Sequence, residues 1–150
     1  MEVYFSSVDK DFILYQGDSM QLISNIGQQI DVIFADPPYF LSKNIPKCIN
    51  GTWKSFDKGA WDRATTLEKI NQFNKTWLSE CRKVLKDNGT IFVSGTYHNI
   101  FSVASCMMEL GYKILNIICW QKTDAKPTLS RNYFDFTTEY IIWARKDENH

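Results

Sequence analysis

The chain has 150 residues, no net formal charge, 44% hydrophobic and 15% aromatic residues. That is enough to bury a core as one ordinary domain, and it argues against disorder. No apolar run reaches the length of a membrane span, and Met1-Glu2-Val3-Tyr4 has no basic stretch leading into an apolar segment. A cytoplasmic protein without a membrane partner is therefore expected. The balanced charge gives no global pull on a nucleic acid, so any such attraction has to come from local basic segments. Cys48, Cys81, Cys106 and Cys119 fall at no metal-ligand spacing, and His98 and His150 lie far from them. Reduced packing thiols and no metal site are expected.

In chain order, Phe12–Tyr15 reads as a buried strand. Gln16-Gly17-Asp18-Ser19 is a turn able to cap the short amphipathic helix marked by Met20, Leu22, Ile23 and Ile26 and stopped by Gly27. Val32–Ala35 is the next buried strand and runs into Asp36-Pro37-Pro38-Tyr39. Residues 40–64 show no period, which predicts a long loop that is functional or mobile. Thr65 and Glu68 read as a capping box, and Leu67, Ile70, Phe73, Trp77, Leu78, Cys81, Val84 and Leu85 follow at helical spacing. Asp87-Asn88-Gly89 reads as the end of that helix and Thr90–Val93 as a strand. Ile100 to Met108 is a helix stopped by Gly111. Tyr112–Trp120 and Thr137–Trp143 are two more strands, with no helix between them, so they are expected to pair antiparallel at one edge. The segment 122–133 that joins them is polar and basic. Alternating strands and helices with continuous apolar strands predict an α/β domain with a largely parallel sheet. In such sheets ligands bind beyond the carboxyl ends of the strands, where Asp18 and Asp36 fall.

The tetrad 36–39 carries the chemistry. Each proline fixes φ and lacks an N–H, and the residue before a proline is held extended. A carboxylate, a rigid carbonyl and an aromatic ring are thus kept close together. The amino group of a nucleobase is a poor nucleophile because its lone pair is delocalised into the ring. Two acceptors on its N–H bonds, the ionised Asp36 carboxylate and the Pro37 carbonyl, would free that lone pair. Tyr39 can stack on the face of the base.

The run VIFADPPYF at 32–40 resembles motif IV of the amino-methylating DNA methyltransferases. An Asp in first place is closer to the N6-adenine enzymes than to the N4-cytosine ones. Gly17-Asp18 ahead of a short helix resembles motif III, which implies that Asp18 accepts a hydrogen bond from the adenine of S-adenosylmethionine and that Asp36 also lies at the cofactor. Trp61-Asp62, the helix through Trp77-Leu78-Ser79-Glu80 and the strand GTIFVSG at 89–95 are similar to later elements. Trp120-Gln121-Lys122, Pro127, Arg131, Tyr133-Phe134, Glu139 and Trp143 resemble the motif VIII region, whose aromatics help line the pocket for a flipped base. Lys122, Lys126, Arg131 and Tyr133 are candidate DNA contacts, with a solvated basic loop as the alternative for the cations. Trp77, Trp120 and Trp143 are expected chiefly to pack.

With the tetrad ahead of any glycine loop, the order is similar to the permuted β group, and especially to the adenine methyltransferases of DpnII-type restriction systems. The resemblance implies a Rossmann-like class I fold with sheet order 3-2-1-4-5-7-6. The chain supplies strands resembling 3, 4, 5, 6 and 7. None of its seven glycines forms the glycine loop that holds the methionine end of the cofactor. Residues 1–150 are therefore expected to be the N-terminal catalytic portion of a truncated or split enzyme, completed by a C-terminal chain or a homodimer partner. Its first strand is expected to lack a neighbour. N4-cytosine methylation and a non-catalytic remnant that binds DNA or a partner stay open as alternatives.

Overall fold

The computed structural model describes residues 2–26, 30–40, 66–123 and 134–146, and the backbone of 47–49 and 52–54. The expected α/β architecture is observed. Its main sheet holds β3 (Ile30–Ala35), β6 (Leu85–Gly95), β8 (Thr138–Arg145) and β7 (Lys113–Gln121), in the order β3-β6-β8-β7. That is the run 4-5-7-6 of the resembled fold. The sheet is mixed rather than largely parallel: β3 pairs with β6 in parallel, whereas β6–β8 and β7–β8 are antiparallel. The cause is the direct return from β7 to β8, which puts an antiparallel strand between β6 and β7.

Three helices form one layer. α1 (Ser19–Asn25), α2 (Leu67–Val84) and α3 (Ile100–Glu109) pack on the same face of the sheet. Leu78, Cys81, Ile91, Val93, Val103, Met107, Ile142 and Ala144 fill the contact and are all but sealed from water. Each large apolar side chain among them contributes about 1.5–3 kcal/mol. Strand alternation turns Val32 and Phe34 to the opposite face, where they are 56% and 63% exposed. Among the described residues no helix covers that face.

The first strand is corrected in two ways. β2 (Ile13–Gln16) does have a neighbour, β1 (Glu2–Ser6), with which it forms a separate antiparallel hairpin. The turn is closed by Ser7, whose N–H donates to the Phe12 carbonyl at 2.9 Å and whose hydroxyl accepts from the Phe12 N–H at 3.0 Å. Nor is β2 buried: Ile13, Leu14 and Tyr15 are all exposed, as are Val3, Tyr4 and Phe5 opposite.

Helix ends also differ from expectation. The N-cap of α2 is Thr66, one residue after Thr65, and its hydroxyl accepts from the Lys69 N–H. Glu68 sits in the first turn, where it favours the helix dipole without closing a capping box. Asp87-Asn88-Gly89 does not end the helix. α2 stops at Val84, and the triplet lies in a bulge of β6, where the ladder jumps from Ile30–Leu85 to Val32–Thr90. α3 ends as expected at Gly111, whose φ of +78° suits glycine. Most of residues 40–64 lies outside the described residues. Within that stretch β4 (Lys47–Ile49) and β5 (Thr52–Lys54) make a short antiparallel hairpin. Of the cysteines, Cys81 and Cys106 are buried and Cys119 is exposed; the side chain of Cys48 is not described.

Candidate active site

Parallel pairing with β6 carries β3 to Ala35, and the tetrad begins directly beyond its carboxyl end. The far end is pinned by Phe40. Its ring is 7% exposed and meets Phe73 of α2 edge-on at 5.8 Å, which holds the backbone at φ +57°. A left-handed φ is uncommon for a bulky residue, and packing has to offset it.

Asp36 is the centre of a small polar network. The Ser94 hydroxyl donates to Asp36 Oδ1 at 2.5 Å, and the Tyr39 hydroxyl donates to the same oxygen at 2.8 Å. The two hydroxyls lie 3.2 Å apart. Burial pushes the Tyr39 phenol up to about 12; Ser94 opposes this and the Asp36 carboxylate adds to it. Asn99, fully buried, donates from Nδ2 to the Pro38 carbonyl at 3.3 Å and accepts the Thr96 N–H on Oδ1 at 3.0 Å. The tetrad is therefore held by side chain at Ser94 and by backbone at Asn99. Neither residue stands out in the sequence, because a Ser at a strand end and an Asn before a helix are ordinary capping residues.

Asp18 is the N-cap of α1 and accepts the Met20 N–H at 2.8 Å. The turn before it needs Gly17, whose φ is +151°. Asp18 and the whole tetrad line one cleft of about 890 Å³. Its other walls are largely apolar, among them Ile33, Phe34, Phe73 and Trp77. One cleft thus holds two carboxylate-bearing turns and an apolar floor. Acceptors at the rim and apolar surface within suit a flat heteroaromatic group carrying N–H donors.

Of the candidate DNA contacts, one is among the described residues. Lys122 is described and forms an ion pair with Glu139 across β7 and β8. Lys126, Arg131 and Tyr133, like Trp61 and Asp62, lie outside the described residues. Trp77 packs in the core as expected, 6% exposed. Trp120 and Trp143 do not: they are 57% and 37% exposed, because both stand on strand faces that have no covering layer among the described residues. Trp143 stacks on Phe92 at 5.7 Å and donates from Nε1 to Thr90. Sequence reading also missed an aromatic cluster beyond β6. There Tyr97 stacks on Phe136, ring centres 3.8 Å apart, with the His98 ring beside it.

The DNA methylase family model matches residues 30–150. The type II methyltransferase M2.MboI of Moraxella bovis is 47% identical over 144 residues, which are 95% of this chain and 53% of that protein. The type II methyltransferase M2.DpnII of Streptococcus pneumoniae is 44% identical over 137 residues, 91% of this chain and 51% of that protein. The chain thus spans about half the length of these curated relatives. Among solved structures, the M1.HpyAVI–SAM complex superposes with a TM-score of 0.59 at 21% identity, over 89% of this chain and 53% of that one. The likeness carries the fold.

Proposed function

This chain belongs to the DNA methylase family, and we propose that it is the catalytic portion of a type II enzyme that methylates N6 of adenine in DNA. The observation that carries this reading is the placement of Asp36-Pro37-Pro38-Tyr39 at the carboxyl end of β3, in one cleft with Asp18. Asp36 and the Pro37 carbonyl accept the two N–H bonds of a flipped adenine, and Tyr39 stacks on its face. S-adenosylmethionine supplies the methyl group when bound. The residues present fit its adenosine part: Asp18 is the acceptor for an adenine N–H, and the apolar cleft wall takes the ring. None of the seven glycines forms a loop for the methionine part. Lys122, Lys126, Arg131 and Tyr133 remain the candidate DNA contacts, with Lys122 drawn toward Glu139.

We also propose that the uncovered sheet face and the β1–β2 hairpin are covered by the other half of the enzyme, as further polypeptide or as a complementary chain. Val32, Phe34 and the hairpin residues Val3, Tyr4, Phe5 and Phe12 are all more than half exposed, more large apolar side chains than a monomer commonly leaves in water. A homodimer partner is the other candidate for the same face.

Calorimetric titration of S-adenosylmethionine into the chain alone is expected to show no saturable binding, and binding is expected once the complementary half is added. Saturable binding by the chain alone would remove the need for a second half and strengthen the methyltransferase reading. Nucleoside mass spectrometry of product DNA then decides the base. N6-methyladenine supports the proposal, and N4-methylcytosine moves the reading to cytosine. Binding without turnover in the completed assembly leaves the non-catalytic remnant.

A further inference from the structure

The geometry points to Ser94 as a positioning residue for Asp36: its hydroxyl fixes one carboxylate oxygen so that the other is presented to the target amine. This rests on the reading of Asp36 as the acceptor of an amine N–H. Each hydroxyl has one proton to give. Ser94 Oγ lies 2.5 Å from Asp36 Oδ1 but 3.3 Å from the Ala35 carbonyl, so its proton goes to the carboxylate. Tyr39 Oη lies 2.8 Å from the same oxygen and 3.2 Å from Ser94 Oγ, so its proton goes there too. Oδ1 thus accepts two bonds, and Oδ2 is the acceptor left for a substrate.

The two donors are not equivalent. Tyr39 belongs to the turn itself, and its ring is the one proposed to stack on a base. Ser94 stands on β6, which is paired on both sides: Val93 with Ala35 of β3, and Ser94 with Ile141 of β8. A donor on a doubly paired strand keeps its place when the turn beside it moves. Ser94 is therefore the hydrogen bond that persists through base entry. Asn99 holds the backbone of the same tetrad at Pro38.

The test uses the full chain in its turnover-competent form, with Ser94→Ala, Ser94→Thr and Asp36→Ala. Ser94→Ala is expected to lower kcat about 10- to 100-fold, the scale of a mispositioned catalytic group, while KM for DNA and for cofactor stays within about twofold. Ser94→Thr, which keeps the hydroxyl, restores most of the loss. Turnover in Ser94→Ala within about twofold of the parent, with Asp36→Ala inactive, overturns the assignment. Turnover retained in Asp36→Ala is a different failure and removes the reading of Asp36 beneath it. A second readout needs no turnover. The carboxyl carbon resonance of Asp36 in the full chain is expected to move in Ser94→Ala and to return in Ser94→Thr. A resonance unmoved in Ser94→Ala overturns the assignment as well.

Discussion

The hydroxyl of Tyr39 donates to Oδ1 of Asp36 at 2.8 Å, so the ring proposed to stack on a base is tethered to the carboxylate proposed to activate that base. Tyr39→Phe keeps the ring and removes the tether. It is expected to keep turnover within about fivefold of the parent, because the stacking face is retained and Ser94 still donates to Asp36. Tyr39→Ala removes the stacking surface, worth about 1–3 kcal/mol per base, and is expected to lower turnover roughly 5- to 150-fold. Fluorescence of 2-aminopurine at the target position separates the two variants: quenching by stacking survives in Phe and is lost in Ala. Equal losses in both would mean that the hydroxyl, not the ring, is what the reaction uses.

Gly95 ties the end of β6 to the tetrad through Asn99. A Cβ at Gly95 would stand 2.7 Å from Asn99 Oδ1 and 3.0 Å from Ile100 Cδ1. Asn99 would have to give, and with it the bond to the Pro38 carbonyl. Gly95→Ala is therefore expected to cost activity more than fold: a drop in kcat of about 10-fold or more with circular dichroism unchanged. Full activity in a folded Gly95→Ala variant would show that Asn99 does not hold the tetrad.

Much of this was legible from sequence. The strand ending at Ala35, the tetrad beyond it, the cap at Asp18 and the antiparallel return of β7 and β8 are local patterns, and local patterns are what residue spacing encodes. What stayed hidden depends on partners distant in sequence. Ser94 meets Asp36 across 58 positions, and Asn99 meets Pro38 across 61. The hairpin partner of β2 was hidden because Val3-Tyr4-Phe5 is flanked by Glu2 and two serines and so shows no clear buried run, and its pairing with Ile13–Gln16 is a contact across a turn. Trp120 and Trp143 were read as core because large aromatics usually are. Among the described residues their strands lie against a helix layer on one side only, which no property of the residues themselves reveals.

The contact between α2 and α3 contains a buried polar chain. Trp77 Nε1 donates to Asn74 Oδ1 at 3.0 Å, and Asn74 Nδ2 donates to Ser102 Oγ at 2.9 Å. Ser102 in turn donates to Asn71 Oδ1 at 2.5 Å. Asn74 is fully buried, and the Trp77 indole depends on it. Asn74→Ala leaves that N–H without its acceptor, at about 1–3 kcal/mol, and takes from Ser102 one of its two bonds, the one to Asn71 remaining, at about 1 kcal/mol more. A total of about 3 kcal/mol lowers Tm by roughly 6–12 °C for a chain of this size. Asn74→Asp keeps an acceptor for Trp77 but buries a charge, and is expected to be no better than Ala at neutral pH. A melting curve for Asn74→Ala that matches the parent would mean that water replaces the amide in the helix contact.

The same core predicts sensitivity to alkali. Burial pushes the Cys81 thiol up to about 12 from its ordinary 9.0, with Glu80 adding to the effect. Burial likewise holds the Tyr112 phenol well above its ordinary 10.0; Cys81 adds to this, and Arg82 over the ring opposes it. Tyr112 donates to the Leu78 carbonyl at 2.8 Å. Both groups are neutral acids whose protonated forms the fold favours, so above their ordinary values the folded chain binds more protons than the unfolded one. Stability is then fully present below about pH 9 and falls with rising pH, for Cys81 until about 12. Thermal melts between about pH 7 and 11 are expected to be level on account of these groups up to about 9 and to fall beyond it. Tyr112→Phe should melt lower at neutral pH, by about 1 kcal/mol for the lost bond, and approach the parent as pH rises, because it has no phenol to ionise. Parallel curves for the two proteins across that range would remove Tyr112 from the alkaline transition and leave Cys81 as its source.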